Sequence, residues 1–255
     1  MIANYHTHTW RCNHAVPGEE LYVTNAVKRG LRELGFSDHS PYAFPKYYRS
    51  GFRMGMDQLE DYVQTVRGFQ ERYRGVIQIH LGFELEYYPA YFDKTLSRLR
   101  EIGGCYLLLG QHFVGSEIHE HYCGAPTGNP EVLKRYCFQV MEAMNTGLFT
   151  YLAHPELIHF LGDRKLYLEQ LRQVVREAKS CAMPLEINLL GLAEGRHYPA
   201  RDFWEMAAQE DCPVILGCDA HSPAALLDTH AERKALALAK ELGLRVQETV
   251  ELRKI

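Results

Sequence analysis

The segment YHTH at residues 5–8 follows a short apolar stretch near the start of the chain. In an extended strand successive side chains point to opposite faces, so His6 and His8 share a face and can reach the same ion. A comparable pair of ligand types, Asp219 and His221, follows another apolar run near the end of the chain. These two pairs predict strand ends that carry metal ligands. We expect the strands between them to end in ligand-type residues as well.

The composition is that of an ordinary globular protein. With 255 residues, 46% hydrophobic and 24% charged, the chain can bury the core of one barrel-sized domain or of two smaller ones. The net charge of −4 and the sequence pI of about 6.4, without a Lys/Arg-rich stripe, argue against a nucleic-acid partner. The absence of a signal-like start and of a long apolar run argues against a membrane partner and favours a cytoplasmic location. The seven cysteines are scattered without a Cys-x-x-Cys pair, which predicts reduced, mostly buried thiols.

Short apolar segments alternate with longer helical patterns, which predicts a parallel-sheet α/β fold. The predicted strands lie at about residues 2–6, 33–38, 76–85, 105–112, 150–154, 184–190 and 213–218. The predicted helices lie at about residues 18–30, 57–74, 91–102, 130–146, 165–181, 200–210 and 224–242. Seven such units without a Pro-, Gly- or Ser-rich linker predict one closed seven-stranded (β/α)7 TIM-like barrel domain over residues 1–255. A doubly wound open sheet is the alternative, and residues 244–255 are expected to add an edge strand.

A ligand-type side chain follows most of the predicted strands. These candidate metal ligands are His6, His8, His14, His39, Glu84, His112, His154, Asp219 and His221. In a parallel barrel all strand C-termini open on one rim, so the scattered positions are expected to converge there.

Nine ligands are too many for one ion. Histidine nitrogens and carboxylate oxygens suit zinc, manganese or iron, and three protein ligands per ion leave room for water or substrate. The set therefore predicts three divalent ions, with Glu84 and Asp219 as the carboxylates most suited to bridge them. Clustered divalent ions generate hydroxide at neutral pH and clamp a phosphoryl group, which predicts phosphoester hydrolysis.

The order and spacing of these residues resemble the metal motifs of the PHP (polymerase and histidinol phosphatase) superfamily, most closely its histidinol-phosphate phosphatase branch. The matching motifs are His6-x-His8, His14, Asp38-His39, Gly82-x-Glu84, His112, Ala153-His154-Pro155 and Asp219-Ala220-His221. The resemblance runs along nearly the whole chain and implies a distorted seven-stranded β/α barrel with a trinuclear metal centre on its rim.

The resemblance also implies which residues share an ion and what the centre does. The implied ligand sets are His6, His8, Glu84 and Asp219 for one ion, Glu84, His112 and His154 for a second, and His14, His39 and His221 for a third. The implied reaction converts L-histidinol phosphate and water to L-histidinol and phosphate, a step of histidine biosynthesis. A hydroxide that bridges metals held by Glu84 and Asp219 is the expected nucleophile.

Residues beyond the metal ligands are predicted from the needs of the substrate. A metal-bound phosphate needs further positive charge for its outer oxygens, and the planar fork of arginine suits it. Arg196 is the first choice, with Arg53 and His159 as second choices, and each has the alternative of an ordinary structural or solvated side chain. Glu86 is expected at the rim, where it contacts the substrate amine or faces water. The loop at residues 116–129 is expected to cover the site.

That loop is unusually rich in ligand types, with His119, His121 and Cys123. Three alternative functions share parts of the pattern. A phosphatase or phosphodiesterase of the same superfamily that acts on another small phosphate ester would have the same metal ligands. An amidohydrolase would hold fewer ions, and a noncatalytic module would bind a phosphorylated partner without turnover. The sequence carries no prediction of the oligomeric state.

Overall fold

The computed structural model describes residues 1–118 and 121–255, in which short strands alternate with longer helices. The strands are β1 (Ala3–Asn4), β2 (Glu33–His39), β3 (Gln78–Leu85), β4 (Tyr106–Leu109), β5 (Leu185–Asn188), β6 (Val214–Gly217) and β7 (Val246–Gln247). The helices are α1 (Glu19–Arg29), α2 (Leu59–Arg72), α3 (Pro89–Ile102), α4 (Pro130–Asn145), α5 (Arg164–Ser180), α6 (Leu189–Glu194), α7 (Arg201–Gln209) and α8 (Thr229–Leu242).

The strands form a curled parallel sheet in two parts. β1, β2, β3 and β4 are hydrogen-bonded in that order, and β5, β6 and β7 form the second part, with every strand pair parallel. Isolated parallel bridges join the two parts on both sides: Leu152 bridges Leu109 and Leu185, and Thr7 bridges Ala220. The predicted α/β class with a parallel sheet is confirmed.

The helices begin and end where the local chemistry favours it. Asp228 caps α8 by accepting hydrogen bonds from the backbone N–H groups of His230 and Ala231. Gly243 ends the same helix with a φ of 70°, a left-handed conformation that costs glycine little. α3 and α4 each begin with a proline, whose missing N–H is not needed in the first turn.

The core occupies both faces of the curled sheet. In β4 the side chains of Leu107 and Leu109 pack against the surrounding helices, whereas Tyr106 and Leu108 belong to a smaller cluster on the concave face. This alternation follows the period of two in a strand. Gly35 makes room for Tyr106, because a Cβ at that position would lie 2.1 Å from the tyrosine hydroxyl.

Several predicted elements differ in extent. The predicted strand at 150–154 is represented by the bridges of Leu152, and the predicted strand at 184–190 ends earlier because Asn188 caps α6, accepting from the N–H of Gly191 at 2.9 Å. α8 begins later than predicted, after a 3-10 turn at Pro223–Leu227. The final segment contributes β7, as expected. Among the described residues, none of the helices combines the length and apolarity that a membrane span requires.

Candidate metal centre

Glu84, the penultimate residue of β3, lies at the centre of a cluster of imidazoles where the parallel strands end. The shortest distances from its carboxylate oxygens to histidine nitrogens are 2.8 Å to His154, 3.0 Å to His39, 3.5 Å to His112 and to His6, and 3.6 Å to His8. The register of the sheet explains part of this meeting, because Glu84 pairs with His39 across β2 and β3. The Glu84 carboxylate thus lies close to histidines that come from several different segments of the chain.

Asp219 is a second centre, on the far side of the cluster. Its Oδ1 lies 3.0 Å from Nε2 of His8, 3.3 Å from Nδ1 of His221 and 3.4 Å from Nε2 of His6. The ring of His14 lies 4.6 Å from that of His221 and 5.3 Å from that of His39, measured between centroids. The structure therefore brings all of the predicted ligand residues to one place.

The donor atoms of this cluster fit divalent ions. Among the described residues, the buried side-chain atoms that lack a hydrogen-bond partner include Nε2 of His6, His8 and His221, Nδ1 of His39 and His154, and Oε2 of Glu84. Buried polar atoms are normally paired, so several unpaired histidine and carboxylate atoms in one cluster indicate a ligand that satisfies them. Histidine nitrogen and carboxylate oxygen are ligands that zinc and similar ions prefer.

Several subsets of three have ligand atoms within 4.8 Å of one another. They include His6, His8 and Asp219; His6, Glu84 and His154; His8, His39 and Glu84; and His14, His39 and His221. A further subset contains the buried Cys12 with His8 and His221. Cys12 was predicted only as a buried thiol, and its position four residues after His8 in the sequence was the available signal.

Burial and charge set the protonation of the two central carboxylates. Burial alone raises the pKa of Glu84, but the imidazoles of His112, His39 and His6 outweigh it and hold that pKa well below its usual value. Burial also raises the pKa of Asp219, and His6 and His8 hold it well below the usual value. Both side chains are therefore carboxylates at neutral pH, the form that binds a cation.

The histidines divide into two groups. Burial lowers the pKa of His39 well below its usual value, and it lowers that of His221 to about 3, so both imidazoles are neutral. Burial also lowers the pKa of His6, but Glu186, Asp219 and Glu84 raise it by more, to well above the usual value. A cation bound between His6, Glu84 and Asp219 would therefore take the place of the proton that these carboxylates hold on His6.

The outer nitrogens of several ligand histidines lie against oxygen atoms that fix the rings. The pairs are His6 Nδ1 and Glu186 at 2.7 Å, His112 Nδ1 and Glu86 at 2.8 Å, His8 Nδ1 and Asp38 at 3.3 Å, His14 Nδ1 and the Cys12 carbonyl at 2.8 Å, and His221 Nδ1 and the Asp219 carbonyl at 3.0 Å. Such partners orient metal-binding imidazoles and leave the other nitrogen free for an ion.

Sequence reasoning missed Asp38, Glu86 and Glu186 in this orienting position. Glu86 was expected at the rim, in contact with substrate or water, but it is fully buried and contacts Arg53 and His112. Its place two residues after Glu84, on the same face of the strand, was the signal that could have indicated contact with the cluster.

Two candidate ligands occupy unusual backbone conformations. The φ of His154 is 29° and that of Asp219 is 46°, in the left-handed region that side chains with a Cβ rarely adopt. The backbone N–H of His154 donates to Glu186 at 3.0 Å, which helps to hold this conformation. Strained residues of this kind concentrate at functional sites.

A cavity of about 530 Å³ opens on the cluster. Besides His14, His39, His112, His154, Asp219 and His221, its wall includes Phe52, Phe113, Tyr122, Leu157, Arg196 and Tyr198. This size and mixture of apolar and polar walls suit a small molecule.

The three predicted phosphate-binding residues lie in different surroundings. Arg196 lies on the cavity wall, where its guanidinium donates to Glu194 at 2.8 Å and to the hydroxyl of Tyr198 at 2.8 Å. Arg53 is 2% exposed and does not reach this cavity, because Glu86 and Glu117 hold its guanidinium beneath the cluster. A structural ion pair therefore explains it better than contact with substrate.

His159, the third of these residues, also lies away from the cavity. Its ring stacks on that of His197 at 4.2 Å between centroids, and it is not among the cavity-lining residues of the described chain. Its backbone N–H donates to the carbonyl of Cys123 at 2.8 Å, so the His159 backbone contacts the described part of the loop at 116–129.

The loop at 116–129 contributes to the cavity through Tyr122. Tyr122 forms an isolated antiparallel bridge with Phe113, and Thr127 forms a parallel bridge with Phe160. Cys123 is buried, and His121 lies 3.3 Å from the carbonyl of Ala125, so neither joins the histidine cluster. His119 lies outside the described residues.

Comparisons with known proteins agree with this geometry. A family model described as the PHP domain matches residues 4–189. The probable histidinol-phosphatase of Deinococcus radiodurans is 28% identical over 233 residues, which cover 87% of this chain and 87% of the relative. The histidinol-phosphatase of Bacillus subtilis is 24% identical over 254 residues, which cover 85% of this chain and 92% of the relative.

A solved structure has the same fold. It is a histidinol phosphate phosphatase from Lactococcus lactis in complex with zinc, L-histidinol and phosphate. The two structures superpose with a TM-score of 0.73 at 19% identity, over 98% of this chain and 96% of that one. At this identity the likeness establishes a common fold.

Proposed function

The chain belongs to the PHP domain family, and from that premise we propose that it hydrolyses L-histidinol phosphate to L-histidinol and inorganic phosphate. The observation that carries the proposal is the cluster of unpaired histidine and carboxylate atoms at the base of a cavity of about 530 Å³. The names of the curated relatives favour this substrate over other phosphomonoesters. The reaction belongs to histidine biosynthesis, for which a cytoplasmic location stays a prediction.

We infer that the cluster holds three divalent ions, which are zinc, manganese or iron. The ligand sets are those that the family resemblance implies: His6, His8, Glu84 and Asp219; Glu84, His112 and His154; His14, His39 and His221. When bound, the ions would activate water near neutral pH and neutralise charge on the phosphoryl group. The observed subsets of His6 with His8 and Asp219, and of His14 with His39 and His221, support this assignment.

The chain's own residues divide the remaining tasks. Glu84 and Asp219 hold the cluster together, because each contacts at least three imidazoles. Arg196 would turn from Glu194 toward the outer phosphate oxygens, whose charge its fork matches. Phe52 and Tyr122 form apolar parts of the wall and exclude water around the substrate.

We also infer that the two parts of the sheet close into one distorted seven-stranded barrel, with the metal centre on its rim, within a single domain. Isolated bridges support this inference. Leu152 bridges the first part of the sheet to the second on one side, and Thr7 bridges the two parts on the other side. The segment around Leu152 would take the place of the remaining strand.

Steady-state phosphate release tests the proposed reaction. The manganese- or zinc-loaded protein would be assayed with L-histidinol phosphate against a panel of other phosphomonoesters and one phosphodiester. We expect kcat/KM for L-histidinol phosphate to exceed the others clearly and to reach about 10⁴ M⁻¹s⁻¹ or more.

A flat profile, or a maximum for another ester, would contradict the substrate and favour a family member that acts on a different small phosphate ester. Turnover with only one or two ions per chain would favour a two-metal amidohydrolase-like centre. Binding of phosphate esters without any turnover would favour a noncatalytic binding module.

A further inference from the structure

Arg53 is a buried cation held between carboxylates from two different parts of the chain. Its Nη1 and Nη2 donate to the two oxygens of Glu86 at 2.9 and 2.8 Å, and its Nε donates to Glu117 at 2.7 Å. The exposed fractions are 2% for Arg53, 0% for Glu86 and 7% for Glu117. A buried charge is costly unless its partners are well placed, so this arrangement requires a definite geometry of all three groups.

The first carboxylate connects Arg53 to the metal centre. Oε1 of Glu86, which accepts from Arg53, also lies 2.8 Å from Nδ1 of His112. The opposite nitrogen of that imidazole lies 3.5 Å from Glu84. Arg53 and Glu86 therefore fix the ring of a candidate ligand through the nitrogen that faces away from the cluster.

Three further contacts bring Arg53 against neighbouring parts of the centre. Its Nη1 donates to the carbonyl of Ser40 at 2.9 Å, next to His39, and its own carbonyl accepts from Asn13 at 3.2 Å, next to His14. Its guanidinium lies 4.4 Å from the ring centroid of Phe52. That ring packs against His39 at 4.9 Å and against His112 at 5.6 Å between centroids.

The second carboxylate connects Arg53 to the loop at 116–129. Glu117 lies at the start of that loop, and its other oxygen accepts from the hydroxyl of Tyr48 at 2.8 Å. Farther along the loop, Tyr122 forms part of the cavity wall. The guanidinium that contacts Glu86 therefore also contacts a residue of the loop that supplies Tyr122 to the cavity wall.

We propose that Arg53 is a positioning residue that couples the loop at 116–129 to the metal centre. Through Glu86 it fixes His112 for one ion, and through Glu117 it holds the base of the loop beside the cavity. The inference rests on the proposed function for its account of substrate binding, whereas its account of metal binding depends only on the histidine cluster.

Four variants distinguish the connection of Arg53 to the metal centre from its connection to the loop at 116–129. They are Glu86→Gln, Glu117→Gln, Arg53→Met and the conservative Arg53→Lys. Arg29→Met is a matched control, since the side chain of Arg29 is 7% exposed and pairs with Glu232 away from the histidine cluster. Metal content would be measured after dialysis against a weak chelator, and the absorption spectrum would be recorded for the cobalt-loaded proteins. Values of kcat and KM would be measured separately with L-histidinol phosphate.

We expect Glu86→Gln to weaken binding of one ion by about 10- to 100-fold, as loss of a ligand-orienting partner does, and to change the cobalt spectrum. Glu117→Gln should keep the metal content and spectrum but raise KM several-fold with little change in kcat. Arg53→Met should show both defects, and Arg53→Lys should recover part of the metal binding. The control should keep the metal content, the spectrum and KM, even where its melting temperature falls.

Full metal content and an unchanged spectrum in both Glu86→Gln and Arg53→Met would overturn the inference and leave Arg53 a purely structural ion pair. An unchanged KM in Glu117→Gln would remove the connection to the loop. If the wild-type protein binds metal but does not hydrolyse L-histidinol phosphate, the proposed function fails separately. The metal and spectral results would still decide the role of Arg53 at the centre, and KM would then be measured with p-nitrophenyl phosphate.

Discussion

At the scale of single residues, the two nitrogens of each histidine explain much of the site. In His6 and His112 one nitrogen lies against a carboxylate outside the cluster, and the other points toward Glu84. The sequence shows only that a histidine is present, whereas its function depends on which nitrogen is left for the ion. Glu86 and Glu186 are therefore as specific to the site as the candidate ligands beside them.

Arg196 is the residue for which a kinetic result is most informative. Arg196→Ala should lower kcat/KM for a phosphomonoester by about tenfold or more, equal to about 1.4 kcal/mol of transition-state stabilisation, because it removes the positive charge on the cavity wall. Steady-state kinetics with the metal-loaded variant would measure the loss.

Arg201→Ala is the control for this variant. Arg201 lies on α7, with an exposed side chain that pairs with Glu205 and Glu241, so its removal should leave kcat/KM unchanged. Equal kinetics for Arg196→Ala and the wild type would mean that Arg196 does not contact the phosphate.

At the scale of secondary structure elements, the end of β4 must pass close to the carboxylate on β3. Gly110 follows β4, and a Cβ at this position would lie 1.9 Å from Oε1 of Glu84. A glycine is required because the Glu84 carboxylate occupies the space that any side chain would fill. The sequence placed Gly110 at a strand end but could not indicate which side chain lies against it.

Gly110→Ala should therefore displace the Glu84 carboxylate from the metal centre. A shift of about 1 Å in a catalytic group can cost about 100-fold in rate, so we expect a loss of at least that size in kcat/KM, together with lost metal. Metal analysis and kinetics on the purified variant would measure both effects.

Gly68→Ala is the matched control. Gly68 lies within α2 with no atom close to its missing Cβ, so alanine there should stabilise the helix by about 0.5–1 kcal/mol and leave metal content unchanged. Wild-type metal content and kinetics in Gly110→Ala would show that the strand end can move away from Glu84 without consequence.

At the scale of the whole molecule, the candidate metal centre joins segments from the beginning, middle and end of the chain. Glu84 and Asp219 are ionised and buried, and buried charges are stable only where opposite charges lie beside them. Ions that bind only the folded state should therefore stabilise the entire molecule.

Removal of the ions by a chelator should lower the melting temperature. With free metal at about 100 times its dissociation constant, the linked stabilisation is about 2.7 kcal/mol, which corresponds to about 5–10 °C for a chain of this size. Thermal unfolding with and without chelator, followed by circular dichroism, would measure the shift.

A double variant, His6→Asn with His8→Asn, is the control, and it should show little response to the chelator because it lacks two ligands. If the wild-type protein loses its metal but keeps the same melting temperature, the ions do not contribute to the stability of the folded state.

The sequence was sufficient for those features that depend on local pattern. The alternation of strands and helices gave the α/β class, and a ligand-type residue at successive strand ends gave the candidate cluster, because parallel strands end on the same side of a sheet. Element boundaries were less predictable at positions such as Asn188 and Asp228, where a capping side chain ends one element and begins the next.

Tertiary structure alone decided the features that depend on contacts between distant segments. Arg53 and Arg196 are both arginines in loops, yet two buried carboxylates, Glu86 and Glu117, hold Arg53, whereas Arg196 lies on the cavity wall. A residue's own type and spacing fix what chemistry it can perform. Which atoms lie beside it, and hence which chemistry it does perform, depends on how the strands pack together.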